Sequence, residues 1–507
     1  MTLAVALVAV LVIAGAIASV RAGAGRPRGL APGFDLVKTV SLAAARRKAL
    51  HTRPGLTIKH RPTWLGGTPA RQVGIELCRS GWRWLYASLE DVVLIFAEPR
   101  SWKTGLLSAH VVDLPGGGLG TSTRTDLYLN TVEHRKDQGP VRVFNPEGLG
   151  ATIGVPNDAR WDMVRGCDAP AEATMRAGYL LSGSASGDKV SDRGYWESNA
   201  GRALRYLLCA AALSGGSMHE VYEWGQTLSQ RAPVSILKTN PGAPPGWGEA
   251  LESLQAQDPK PKGSVSATLT LALQFMDIPE LAYAATPGPG DVGLDVPAFI
   301  LGGGFLYVIG TQREYAPLTP LFSALVGHVV ETCKKLAGSR GRLDPPFGLI
   351  LDEVYNTARL PLARISSELG GIGVPIVCAF QGLDQAEEML GAAGAGTLWT
   401  NSAVRMGAGG SVPSLEKLST LLGHKAQRNR RGEIERSPVL TASEIDQLDP
   451  GKAVVYTRGK PTIGTVRPIW ERRTPRAKAP HPPTGPLAPV YSLDEQRRAG
   501  PTTEVGS

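Results

Sequence analysis

An apolar run from Val92 to Phe96 reads as a buried strand. It leads straight into Ala97-Glu98-Pro99-Arg100-Ser101-Trp102-Lys103-Thr104, followed by an apolar stretch that can open a helix. This is the position of a phosphate-binding loop. In such a loop, backbone N–H groups at a helix N-terminus face the phosphates, a Lys sets a point charge on the β and γ oxygens, and a Thr hydroxyl holds magnesium. Pro99, Arg100, Ser101, Trp102, Lys103 and Thr104 are the candidate nucleotide-binding residues, and Thr104 is also a candidate metal ligand. A second apolar run, Gly348 to Leu351, ends in Asp352-Glu353. Adjacent acids at a strand's carboxyl end suit metal-assisted phosphoryl transfer: Asp352 would hold Mg2+ through water, and Glu353 would orient or deprotonate the attacking water. A third run, Val374 to Phe380, ends in Gln381, a neutral polar group where a sensor of the γ-phosphate is expected. Singly, each has a bland alternative: the acids could close a solvated turn, and the loop lacks both glycines of the usual pattern. Together, three strand ends converge on one ligand, a nucleotide with Mg2+, as open parallel sheets bind at their carboxyl edges.

The elements that must position these ends alternate. Residues 72–96 read as three strands, with Val73, Ile75 and Leu77 alternating, a turn at Ser80-Gly81, and Trp82, Trp84 and Tyr86 alternating again. That aromatic row around Arg83 is accounted for by cross-strand packing in a hairpin rather than by base stacking. A helical stretch follows Thr104, then a Gly-rich turn at Gly116 to Gly118 and a short strand from Val141 to Phe144. Residues 168–262 carry Ala-rich helical runs and no continuous strand, so they read as an all-α insertion. The α/β pattern resumes with an apolar run from Pro297 to Leu301 and a strand from Phe305 to Ile309. A helix from Leu318 to Leu336, a second around Leu362 to Leu369, and the two strands ending in Asp352-Glu353 and Gln381 complete it. The insertion then interrupts one parallel sheet.

The 507 residues and 42% hydrophobic content allow two or three folded units and exclude a disordered or collagen-like chain. Cys78, Cys167, Cys209, Cys333 and Cys378 lie far apart, which indicates neither a zinc site nor a disulfide framework and fits a reducing compartment. The net charge of +9 is compatible with a polyanionic partner, nucleic acid or anionic lipid. From Leu3 to Val20 no residue is charged, a length of roughly 27 Å as a helix, enough for one membrane span. No Lys or Arg precedes this run, which favours an anchor over a cleaved signal. The basic flank from Arg21 to Arg61, including Arg46, Arg47 and Lys48, assigns the following chain to the cytoplasm and could also contact lipid headgroups or DNA phosphates. The Pro-rich residues after Arg472 read as a disordered tail.

These motifs resemble the type IV secretion coupling proteins, the TraG/TraD-like conjugation ATPases, in an actinobacterial-looking version. Pro99, Arg100, Ser101, Lys103 and Thr104 match the family's loop, and Ser122, Thr123, Arg124, Thr125 and Asp126 match its Ser-Thr-Lys-Pro-Asp segment. Trp196-Glu197, Leu351-Asp352-Glu353, Gln381 and the stretch from Pro438 through Leu448 to Trp470 are similar in order. The resemblance implies a membrane-anchored, RecA-like P-loop NTPase that assembles as a hexamer. It also implies a partner set: relaxase-bound DNA, driven by ATP hydrolysis toward a type IV secretion channel at the inner membrane. The implied division is an anchor at 1–22, a basic linker at 23–60, an NTPase domain in two parts at 61–167 and 263–471 around the insertion at 168–262, and a tail at 472–507. Ala97 and Trp102 stand where relatives use Gly, and Ile372 where an Arg is common. A docking protein without turnover and an FtsK-like DNA pump are the alternatives. If Trp102 is forced to positive φ, it carries roughly 1–2 kcal/mol of strain that Trp102→Gly would relieve. If the loop is rebuilt around the indole, the glycine variant is expected to bind more weakly.

Overall fold

The computed structural model describes residues 30–472, except 32, 62, 100, 185–198, 289–290, 292, 312–317, 429–433 and 458–459. The expected membrane span, Arg100, Trp196-Glu197 and the tail beyond residue 472 lie outside the described residues. Among the described residues, no helix is long and apolar enough to cross a membrane.

Strand β3 (Val92–Ala97) is buried along its whole length because both of its faces are covered. Val92, Leu94 and Phe96 enter one core and Val93, Ile95 and Ala97 the other, which is why the sequence shows a continuous apolar run instead of alternation. β3 lies between β8 (Ile376–Phe380) and β9 (Val404–Ala408) and is parallel to both. Beyond β8 come β7 (Gly348–Leu351), β4 (Gly118–Ser122), β6 (Phe305–Ile309) and β5 (Val141–Phe144), all parallel.

On the other side of β9 the sheet changes character. β12 (Lys452–Thr457), β13 (Lys460–Thr465), β1 (Gly74–Ser80) and β2 (Arg83–Ser88) extend it with antiparallel pairings, giving 11 strands among the described residues. The expected parallel sheet is therefore the larger part of a mixed one. The β1–β2 hairpin carries the aromatic row: Trp84 pairs with Arg79 and Tyr86 with Glu76. A separate hairpin joins β10 (His424–Arg428) to β11 (Ile434–Pro438).

Two sequence readings need correction. The stretch expected to be a linker folds from Gly33 on into helices Gly33–Thr39 and Leu42–Thr52. Ala45 and Ala49 pack on Val73. Arg46, which could have faced lipid or DNA as part of the basic orientation signal, is instead 5% exposed and donates to the carbonyls of Arg61 and Thr68. The helical run also passes the expected boundary at residue 262, which falls inside helix Pro259–Leu273, and it continues through Pro279–Ala285 and Val296–Leu301 before β6 begins. This run shares the core on one sheet face, docking through helix Thr319–Arg340. At that contact the Tyr179 ring lies 2.4 Å from where a Cβ on Gly327 would stand, so only glycine permits the approach.

Candidate nucleotide site

The strand order β3-β8-β7 puts the carboxyl end of β8 between the loop after β3 and the acids after β7. Gln381 consequently emerges between Lys103 and the Asp352-Glu353 pair.

Helix Lys103–Asp113 begins at the loop, and Lys103, 3% exposed, is turned toward the acids. Its ammonium lies 3.6 Å from Asp352 Oδ1 and donates to Glu353 Oε1 at 3.4 Å. Thr123 Oγ1 donates to the second oxygen, Oε2, at 2.8 Å, and the polar Gln381 side chain helps to hold the Glu353 carboxyl in its ionised form. Burial raises the Glu353 carboxyl, but the Lys103 charge and these hydrogen bonds outweigh it and hold the group below the usual glutamate range. At Asp352 burial wins: it pushes the carboxyl up to about 6 against the pull of Lys103. Asp352 Oδ1 is buried and accepts no hydrogen bond.

The backbone under the acids is fixed by a small hydroxyl network. Thr121 Oγ1 donates to the Asp352 carbonyl at 3.1 Å, and Thr357 Oγ1 to the Asp352 and Glu353 carbonyls at 3.3 and 3.2 Å. Glu353 itself sits at φ 47°, ψ 50°, a left-handed conformation that costs a non-glycine residue roughly 1–2 kcal/mol.

Above these groups is a cavity of about 240 Å³, lined in part by Pro99, Ser101, Lys103, Thr104, Asp352 and Glu353. Of the predicted site residues, Pro99, Ser101, Lys103, Thr104, Asp352 and Glu353 thus meet in one place; Trp102 and Gln381 do not line the cavity, and Arg100 lies outside the described residues. Ser122, Thr123, Arg124 and Asp126 complete much of the wall. Sequence reasoning had singled out these four only as a motif match, without a contact for Thr123. It also missed Glu98, which accepts from the Gly410 N–H at 2.9 Å and ties the loop to the end of β9, and it gave Trp470 no place in the site.

The loop itself departs from expectation. Ala97 remains in β3, paired with Ala408. Trp102 takes φ −68°, ψ −4°, ordinary helical dihedrals, so the expected positive-φ strain is absent. Its indole is 6% exposed, packs in the core beneath the helix, and donates from Nε1 to the Lys452 carbonyl at 3.2 Å. The rebuilt-loop alternative describes the structure, with the indole fastened to the chain's own β12. Ile372, where relatives often carry Arg, is half-buried against the core at the amino end of β8, away from the cavity.

The residues fit magnesium nucleotide. A buried carboxylate oxygen lacks a donor, a buried ammonium faces it, and a helix N-terminus opens on the same cavity. No cluster of three or more metal-ligating side chains occurs among the described residues, so water and phosphate oxygens would complete the shell, as is usual for Mg2+.

Comparison with known proteins gives a family-model match over part of the chain and a fold. Residues 346–450 match the family model for the TraM recognition site of TraD and TraG. No curated protein matches the chain. Among solved structures, the plasmid coupling protein TrwB in complex with the non-hydrolysable GTP analogue GDPNP is 21% identical. The match has a TM-score of 0.57 and covers 77% of this chain and 88% of that one. The unbound monoclinic form of the bacterial conjugative coupling protein TrwBdeltaN70 is 18% identical, with a TM-score of 0.60 over 87% and 94% of the two chains. TrwB in complex with ADP and Mg2+ is 19% identical, with a TM-score of 0.55 over 77% and 87%. The resemblance to type IV coupling proteins read from the motifs is borne out, and the α/β fold with its large, mostly parallel sheet is shared with TrwB.

Proposed function

We propose that the chain is a coupling ATPase of conjugative DNA transfer. On this reading it hydrolyses ATP with Mg2+ and drives a relaxase-bound DNA strand toward a type IV secretion channel. It works as a homo-hexamer held at the cytoplasmic membrane by residues 1–22, with its bulk in the cytoplasm. The observation that carries the reading is the placement of Lys103 against Asp352 and Glu353, with Thr123 and Gln381 on the same glutamate, below a cavity open to a helix N-terminus. The nucleotide complexes of TrwB and the TraM recognition match support the choice of ligand and of pathway.

When bound, magnesium nucleotide supplies the scissile phosphoanhydride and the charge that the phosphates need neutralised. The chain's own residues do the rest. Lys103 exchanges its carboxylate partners for phosphate oxygens, which releases the two acids from its charge. Glu353, ionised at neutral pH, accepts the proton of the attacking water. Thr123 and Gln381 hold the glutamate's carboxylate in one orientation, and the Thr121 and Thr357 hydroxyls fix the backbone beneath it. The opposite reading, a docking protein without turnover, drew on the missing glycines, and the unstrained Trp102 no longer favours it.

The test is steady-state ATP turnover by the full chain, with and without single- and double-stranded DNA. Glu353→Gln keeps the shape and loses the basic oxygen, so it should retain ATP binding while turnover falls by roughly 10²–10⁴-fold. DNA binding should weaken steeply with salt and show little sequence preference. Equal turnover by parent and variant would place the activity elsewhere.

A further inference from the structure

The last described turn of the chain crosses the nucleotide site. After β13 the chain runs back over helix Lys103–Asp113 and forms a single 3-10 turn, Ile469–Glu471, with Trp470 at its centre. The turn is clamped on both sides. Arg467 binds both oxygens of Glu76 at 2.9 and 3.0 Å and stacks on Trp84 at 4.4 Å, and Arg472 pairs with Asp113 and with Glu76. Between these anchors the far edge of the Trp470 ring rests on Gly105. A Cβ there would stand 2.4 Å from Cη2 and 2.6 Å from Cζ3.

Gly105 is two residues beyond Lys103, about 200° round the helix, so the indole and the acids border different sides of the same first turn. Trp470 nevertheless lines the cavity that Lys103 and Thr104 line, and it is that cavity's only aromatic residue among those described. It is also 56% exposed. A single exposed Trp is ordinary on a protein surface. An exposed Trp held by ion pairs on either side, against a glycine in the first turn of a phosphate-loop helix, is a shaped wall with an open face.

We propose that Trp470 is the platform on which the base of the bound nucleotide stacks, an inference that rests on the nucleotide reading given above. With the triphosphate at Lys103 and Thr104 and its terminal phosphate directed to Glu353, the base occupies the remaining end of the cavity. An indole face accepts any purine, since stacking needs only a π surface and no particular hydrogen-bonding edge. The chain therefore takes ATP and GTP with similar affinity.

The experiment measures binding of ATP and of inorganic tripolyphosphate, each with Mg2+, to the full-length chain and to Trp470→Ala and Trp470→Phe by calorimetry. Trp470→Ala should weaken ATP about tenfold, within the range that loss of one base–aromatic stack gives. Trp470→Phe should stay within about threefold of the parent, because a benzene ring still offers a face. Both variants should bind tripolyphosphate as the parent does. Unchanged ATP affinity in Trp470→Ala overturns the platform and leaves the phosphate site standing. An equal loss for tripolyphosphate also overturns it, because the indole would then only brace the helix. A parent that binds neither probe defeats the nucleotide reading itself and the platform with it.

Discussion

At the end of β3, where relatives use glycines, the backbone is ordinary: Ala97 is a paired strand residue and Trp102 adopts helical dihedrals. At the end of β7, where nothing in the sequence asks for glycine, Glu353 is held at φ 47°. The loop thus avoids glycine by changing its path and fastening the new path with an indole. The acid end keeps a strained residue and surrounds it with Thr121, Thr123, Thr357 and Lys103 so that the strain persists. Strain of this kind survives only where neighbours over-determine it, and it tends to lie at reacting groups. The difference teaches that missing loop glycines are weak evidence of a lost site. What matters is whether Lys103 still reaches the acids, and it does.

The strongest way to break the comparison is to remove the group common to both ends. Lys103→Met keeps the length of the side chain and leaves two buried or half-buried acids facing each other without a cation. Breaking a buried ion pair from one side costs about 3–5 kcal/mol, and the phosphates lose their point charge as well. Urea denaturation should show the stability loss, and calorimetry should show ATP affinity reduced at least about a hundredfold, equivalent to about 2.7 kcal/mol. A variant as stable as its parent would mean that the two ends are not coupled through this ammonium.

Much of this geometry was legible in sequence, and the limits have physical causes. β3, β7 and β8 showed themselves as continuous apolar runs because both faces of a parallel sheet are buried, and their ends named Lys103, Asp352, Glu353 and Gln381. The apolar run Pro297 to Leu301 was ambiguous by periodicity and proved to be a helix. The signal was the pair Asp295 and Pro297, an N-cap whose side chain accepts from Ala298 N–H and a proline suited to the first turn. The expected end of the insertion at residue 262 falls just after Pro259 and Pro261, which occupy the opening turn of helix Pro259–Leu273, where the missing N–H groups cost nothing. Contacts spanning hundreds of residues left no local trace. Trp102 on the Lys452 carbonyl and Trp470 on Gly105 are of that kind.

The loop side of the comparison is sharpened by two substitutions at Trp102. The expectation from strain, that Trp102→Gly tightens ATP, is overturned by the dihedrals. The glycine variant should instead lose about 3 kcal/mol from the vacated core and bind ATP more weakly as the loop loosens. Trp102→Phe preserves most of the packing and gives up only the hydrogen bond to Lys452, about 1 kcal/mol. Thermal denaturation of the pair separates packing from hydrogen bonding, and a glycine variant that binds more tightly would restore the strained-loop account.

The acid side is sharpened by pH, with the smallest effect. Burial lifts Asp352 to about 6, so near pH 7 it is mostly ionised and near pH 5 mostly protonated. If the ionised form is the one that supports magnesium, Mg2+-dependent ATP binding should weaken about tenfold between those values, since one pH unit below a pKa leaves about a tenth of the carboxyl ionised. The unliganded chain should respond with the opposite sign. Because the folded-state pKa lies above the unfolded one, the folded chain holds the proton more tightly, and stability falls as pH rises from about 4 to 6. Glu353, held below its usual range, contributes stability above its unfolded pKa and loses it as the pH falls below that value, so it opposes Asp352 only at the acid end of this window. Asp352→Asn should flatten both profiles while leaving Lys103 paired with Glu353. A stability slope that survives in Asp352→Asn belongs to some other group, and it would separate the proton uptake of the fold from the acid pair that faces the cavity.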